Sequence, residues 1–173
     1  MTMSNKITFG SLTIEIEQSG NGVLYTFKGD VDDTFRQQDV PRIQANSITM
    51  DLEGITNFNS CGVREWVFLI KDLEKLGQLT FRKCSIPMVD QFNMVPESIG
   101  NGTVESFFAP YVCEDHGDME VLLDVKGDKA SITAQSAPEK ACQKCQQSLI
   151  FDAMADSYFL FLSPTESKVS KAS

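Results

Sequence analysis

Cations and histidine are scarce in this chain. Of its 173 residues, 15 are Lys or Arg against 24 Asp or Glu, a formal net charge of −9, and there is 1 histidine. A face that grips nucleic acid needs clustered Lys and Arg to displace counterions from phosphate, so nucleic-acid binding is not expected. Partners are expected among proteins and small molecules. Long apolar runs are missing too: "WVFLI" at 66–70 and "YFLFL" at 158–162 fall far short of the ~20 residues that cross a bilayer. No basic start followed by an apolar stretch stands in "MTMSNKITFG". Neither export by a leader nor membrane insertion is expected, and the expected setting is a reducing cytoplasm. There the 5 cysteines, an odd number that includes a Cys-x-x-Cys, point to metal or free thiols before disulfides. No phosphate-cradling loop of the Walker type occurs, and "GNG" reads as a turn.

What is present suffices for a core, with 42% hydrophobic residues. "SLTIEIEQ" and "VLYTFKG" alternate apolar and polar residues around the turn-forming "SGNG", which predicts a hairpin. A helix is expected after the acidic "DVDDTF", in a stretch that contains Pro41. "SITMDLEG" predicts a third strand that ends at Gly54. From Val63 the apolar positions Val63, Trp66, Val67, Ile70 and Leu73 recur at three and four, the period of a helix with one buried stripe, which Gly77 closes. "QLTFRKC" predicts a strand, "IPMVDQFNMV" a helix with Pro87 in its first turn, and "TVESFF" another strand. Strands alternating with helices after a hairpin imply an α/β fold, a mixed sheet with helices packed on it.

Composition shifts at "FFAPYVCEDHGD", where Pro110 interrupts the pattern and cysteines become frequent. A boundary is placed near Ala109, giving a sheet domain over 7–108, a small β-rich domain over 109–162 with strand-like "MEVLLDV" and "SITAQ", and a polar disordered tail over 163–173. In the small domain "CEDH" supplies Cys113 and His116, and "CQKC" supplies Cys142 and Cys145. Two pairs with this spacing on two tight turns suit a tetrahedral zinc ion. Four protein ligands close the site, so the zinc is expected to be structural, and it would stabilise a piece too small to fold on its own core. The cluster resembles a zinc ribbon with His116 in place of one cysteine. The downstream aromatics Phe151, Tyr158, Phe159 and Phe161 are expected to pack this piece onto the sheet.

The "FNSCGVREW" segment at 58–66 lies between strand and helix. The stretch from Ile48 to Leu76 resembles the STAS domain, the fold of bacterial anti-sigma-factor antagonists. The resemblance rests on the strand "ITMDLEGIT", the "NSCG" turn matching that family's Asp-Ser-x-Gly with Asn59 in place of the acid, the amphipathic helix behind it, and the strand order. It covers about residues 7 to 108. It implies a non-enzymatic signalling module whose serine, Ser60 here, flanked by Asn59, Cys61, Gly62 and Arg64, is phosphorylated and dephosphorylated to select a partner such as an anti-sigma kinase. Two other readings of the same residues stay open. Ser60 serves only to cap the helix, or the chain is a constitutive scaffold that docks through its sheet domain or ribbon without phosphorylation. An enzyme built on Cys113 or Cys142 with His116 as base is disfavoured, because the lone histidine cannot serve both catalysis and metal. Trp66 is expected in the core, Arg64 and Glu65 on a solvated face, Asp51 at a strand end either as a turn residue or as a buried partner of loop N–H groups, and Cys61 and Cys84 as small buried hydrophobes.

Overall fold

The opening residues pair as strands because apolar side chains alternate along them. The structure, a computed structural model, describes residues 3–163. Leu12–Ser19 (β2) and Gly22–Val31 (β3) form the expected hairpin, with Leu12, Ile14, Ile16, Val23, Tyr25 and Phe27 turned into the core. A strand that the pattern hid precedes them: Met3–Phe9 (β1) pairs antiparallel with β2 along its length. Its side chains are mostly exposed, so no apolar alternation announces it.

The helix expected near Pro41 is absent. The segment between β3 and the next strand holds one 3-10 turn, Gln37–Asp39, and is otherwise irregular. Proline removes a donor there, and Phe35 and Val40 pin the loop to the core as isolated anchors. Ser47–Phe58 (β4) then runs parallel to β3 and continues through Gly54, where the ladder shifts register, well past the expected end. Asp51 is therefore mid-strand and not at a strand end; it is buried and paired with Arg82 at 3.0 Å.

Ser60–Leu73 forms the long helix α1, Gln78–Arg82 the strand β5, Ile86–Met94 the helix α2, and Thr103–Val104 the short strand β6. The sheet order is β1-β2-β3-β4-β5-β6, antiparallel among the first three strands and parallel from β3 onward. Helix α1 buries Trp66, Leu69, Ile70 and Leu73, each contributing about 1.5–3 kcal/mol by leaving water. Trp66 is core, as expected. Its ring meets Phe27 and Phe58 edge-on, and its indole N–H donates to the Ser98 carbonyl at 3.0 Å.

"TVESFF" does not stay in one strand. β6 ends the first sheet and Ser106–Cys113 (β7) begins a second, so the change of sheet comes at Glu105 and Ala109 lies within β7. The second sheet is antiparallel, with Gly117–Asp124 (β8) and Ile150–Phe151 (β9) on either side of β7. Backbone bonds stitch the two sheets together: Cys84 N–H donates to Ser106, Phe108 N–H to Cys84 and Val125 N–H to Glu105. "SITAQ" is not a strand but lies at a short helix, Lys129–Thr133 (α3). The Asp124 carboxylate accepts from the N–H groups of Lys126 and Gly127, and this turn starts the helix. Ala155–Tyr158 (α4) and a 3-10 turn at Leu160–Leu162 bring the C-terminal aromatics onto the core. Phe159 and Tyr158 are buried, and Phe107 contacts Tyr158, Phe159 and Phe161 edge-on or tilted. Of the expected tail at 163–173, all but Ser163 lies outside the described residues. No helix among the described residues is long and apolar enough to cross a membrane.

Candidate functional site

Two tight turns meet at the far end of the second sheet. The first is the β7–β8 hairpin loop, which carries Cys113 and His116. The second is closed by Cys142 N–H donating to Gln147 and Gln146 N–H donating to Cys142, each at 2.8 Å, and it carries Cys142 and Cys145. In both turns the residue after the second ligand adopts a left-handed backbone, Gly117 at φ 74 and Gln146 at φ 63. That reversal points both side chains of each pair inward. The structure thus brings all four expected ligands together, their donor atoms all within 4.8 Å of one another.

The spacing can be tested against the ion. Metal distances of 2.3 Å to sulfur and 2.0–2.1 Å to nitrogen set tetrahedral edges of about 3.8 Å between sulfurs and about 3.5 Å between sulfur and nitrogen. The Cys113 and Cys145 sulfurs stand 3.5 Å apart, and His116 Nδ1 lies 3.4 Å from the Cys113 sulfur and 3.6 Å from that of Cys142. The residues fit a tetrahedral ion such as zinc. Cys113 and Cys142 are buried while His116 is exposed, so the site sits under the surface with one imidazole as its lid.

Electrostatics agree with that fit. Burial raises the Cys142 thiol, but N–H groups of Cys145 and Lys144 and contact with the Cys145 and Cys113 sulfurs bring it down to about 6. The Gln147 N–H lowers Cys145, while burial and its cysteine neighbours push it up to about 11. Sulfurs this close cannot all ionise unaided; a divalent cation permits it. Backbone N–H groups aimed at a sulfur also orient the ligand and spread its charge.

Ser60 lies apart, at the head of α1 and close to the end of β3. The cap is Asn59, not Ser60. Asn59 is extended, its side-chain oxygen accepts from Gly62 N–H at 2.8 Å, and its carbonyl accepts from Val63 N–H at 2.9 Å. Ser60 is the first helical residue, exposed, and its hydroxyl makes no hydrogen bond among the described residues. Gly62 is required by contact: a Cβ there would run into the Val31 carbonyl, because the first turn of α1 presses on the end of β3. Cys61 is exposed and so is not a buried hydrophobe. Cys84 is buried, and burial pushes its thiol far above the usual range, which makes it inert.

The acidic loop after β3 adjoins this helix end. The Asn59 amide donates to Asp33 at 3.5 Å, and the Thr34 hydroxyl and N–H hold the Asp32 carboxyl below its ordinary value. Arg64 is exposed as expected, but Glu65 is half-buried and accepts from Gln37 N–H at 2.9 Å. Sequence reading passed over Phe68 and Lys71, which stand exposed on the same side of α1 as Arg64. Their spacing of four and then three was the available signal.

Fold and cluster together define an α/β protein with a six-stranded mixed sheet and a small antiparallel sheet that carries four residues able to hold a metal ion. No model of a known protein family matches the chain, and no curated protein matches it either.

Proposed function

We propose that this chain is a non-enzymatic module of bacterial signalling that acts by binding other proteins. In this reading a STAS-like sheet domain of the anti-sigma-factor antagonist type is switched by phosphorylation of Ser60, and a zinc-ribbon-like sheet is held by zinc on Cys113, His116, Cys142 and Cys145. One observation carries the switch. Asn59 performs the capping, which leaves the Ser60 hydroxyl exposed and unbonded in the first turn of a 14-residue helix. A phosphate there would meet the positive end of the helix and add nearly two negative charges. Arg64 stands one turn further on, and Asp33 lies beside the cap, so the charge would rearrange contacts on this end.

Three thiolates and one imidazole are soft donors that favour zinc, and four protein ligands leave no open position, which makes the ion structural. His116, the only histidine, belongs to that cluster and is not free to serve as a general base. The test is phosphopeptide mapping of the chain isolated from its own cells, together with partner capture by Ser60→Ala and Ser60→Asp variants. Phosphate on Ser60 and a changed partner set for Ser60→Asp are expected. Unmodified Ser60 with identical partners for both variants would leave the constitutive scaffold.

A further inference from the structure

On a chain with net charge −9, the solvent side of α1 is cationic. Its exposed charged residues are Arg64, Lys71 and Lys75, and the large apolar residue exposed among them is Phe68, at 43%. The acids of the helix are engaged. Glu65 accepts from Gln37 N–H, Asp72 pairs with Arg42 at 3.1 Å and Lys75 at 3.4 Å, and Glu74 accepts from Asn101 N–H at 3.0 Å. Arg64 and Lys71 have no ion-pair partner among the described residues. Instead they flank the Phe68 ring at 5.8 and 6.0 Å from its centroid. Such cation–ring contacts favour the exposed pose of the ring.

Ser60, Arg64, Phe68 and Lys71 follow one another at four, four and three, so they form a single stripe along the helix. The stripe leads into a cavity of about 870 Å³ lined by Lys71 itself and by Phe92, Pro96, Ile99 and Leu160. Glu74 and Glu97 also line the cavity, where they repel acidic groups and leave it to an uncharged side chain.

We propose that this stripe and cleft dock an acidic segment of a protein partner, with carboxylates on Arg64 and Lys71 and an apolar side chain anchored in the cleft. Charge complementarity selects this occupant. An anionic membrane fits less well, because the cations are few and Asp32 and Asp33 stand in the loop beside the head of the same helix. The proposal deepens the Ser60 reading by naming the chemistry of the partner, and it rests on that reading for its link to signalling. A phosphate at Ser60 would place negative charge at the head of the stripe and repel such a segment.

The experiment screens a displayed library of random dodecapeptides against the intact zinc-loaded chain. Selected peptides should be rich in Asp and Glu around an aromatic or aliphatic residue. Their binding should weaken with salt and fall at least about tenfold in Arg64→Glu/Lys71→Glu and in Phe68→Ala, with zinc content and melting unchanged. Phosphatidylserine vesicles should not bind. Basic peptides, equal binding by the charge-reversed variant, no selection, or vesicle binding lost on charge reversal would each overturn the proposal. If the peptides bind as expected but Ser60→Asp binds them equally, the docking surface stands and the switch falls.

Discussion

Supplying and withdrawing zinc is the change whose effect the structure defines best. Three of the donor pairs already stand at 3.4–3.6 Å and all four donors lie within 4.8 Å, so the scaffold moves little in closing on an ion. At free zinc of 100 to 1,000 times the dissociation constant, binding stabilises the fold by about 2.7–4.1 kcal/mol. For a chain of this size that converts to about 5–16 °C in melting temperature. The loss should come as one transition and not two, because Phe107 and Tyr111 of the second sheet belong to the same apolar cluster as Phe27 of the first and Trp66 of α1. Calorimetry with and without a chelator, under reductant so that the crowded sulfurs do not oxidise, reads both quantities. Cys142→Ser should lower melting by a similar amount and lose its response to chelator. Purified chain with no zinc, and melting that chelation does not move, would show that the four residues hold no stabilising ion.

Two further outcomes follow from the helix α1. Gly62→Ala should destabilise the fold by about 2–4 kcal/mol, since the added methyl meets the Val31 carbonyl, whereas Ser60→Ala should stay within about 0.5 kcal/mol; denaturant titration compares them. The Asp72 carboxyl is held below its ordinary value, first by its hydrogen bond from Arg42 and then by Lys75. A carboxyl lowered in the folded state stabilises fully above its unfolded pKa and loses that contribution as pH falls through the folded one, so Arg42→Leu should flatten the acid limb of stability against pH. The effect should be modest, because Asp72 is 45% exposed and solvent screens the pair.

The metal cluster was legible because ligand spacing is local: a Cys-x-x-His and a Cys-x-x-Cys each need only one tight turn to present two donors. Helix α1 was legible from its apolar period. The residue that caps it was not, since Asn and Ser are both favoured caps, and which one leaves the helical conformation depends on how Gly62 packs under Val31. β1 escaped because an edge strand with exposed side chains carries no alternation, and β4 ran past Gly54 because its partner β3 continued alongside. The isolated β-branched residues of "SITAQ" suggested a strand, but the Asp124 turn set the backbone for a helix, in which only Ile132 is buried.

The rings on and around the second sheet do more than fill space. Phe92 of α2 touches Phe161, Phe161 touches Phe107, Phe107 touches Phe159, Phe159 stacks on Phe151, and Phe151 meets Tyr111, which shares β7 with Cys113. The last described turns of the chain are thus threaded between the first sheet and the metal turns like the tongue of a buckle. Cys113, His116, Cys142 and Cys145 stand at one end of this row, so an ion held by them would also steady the rings that reach α2.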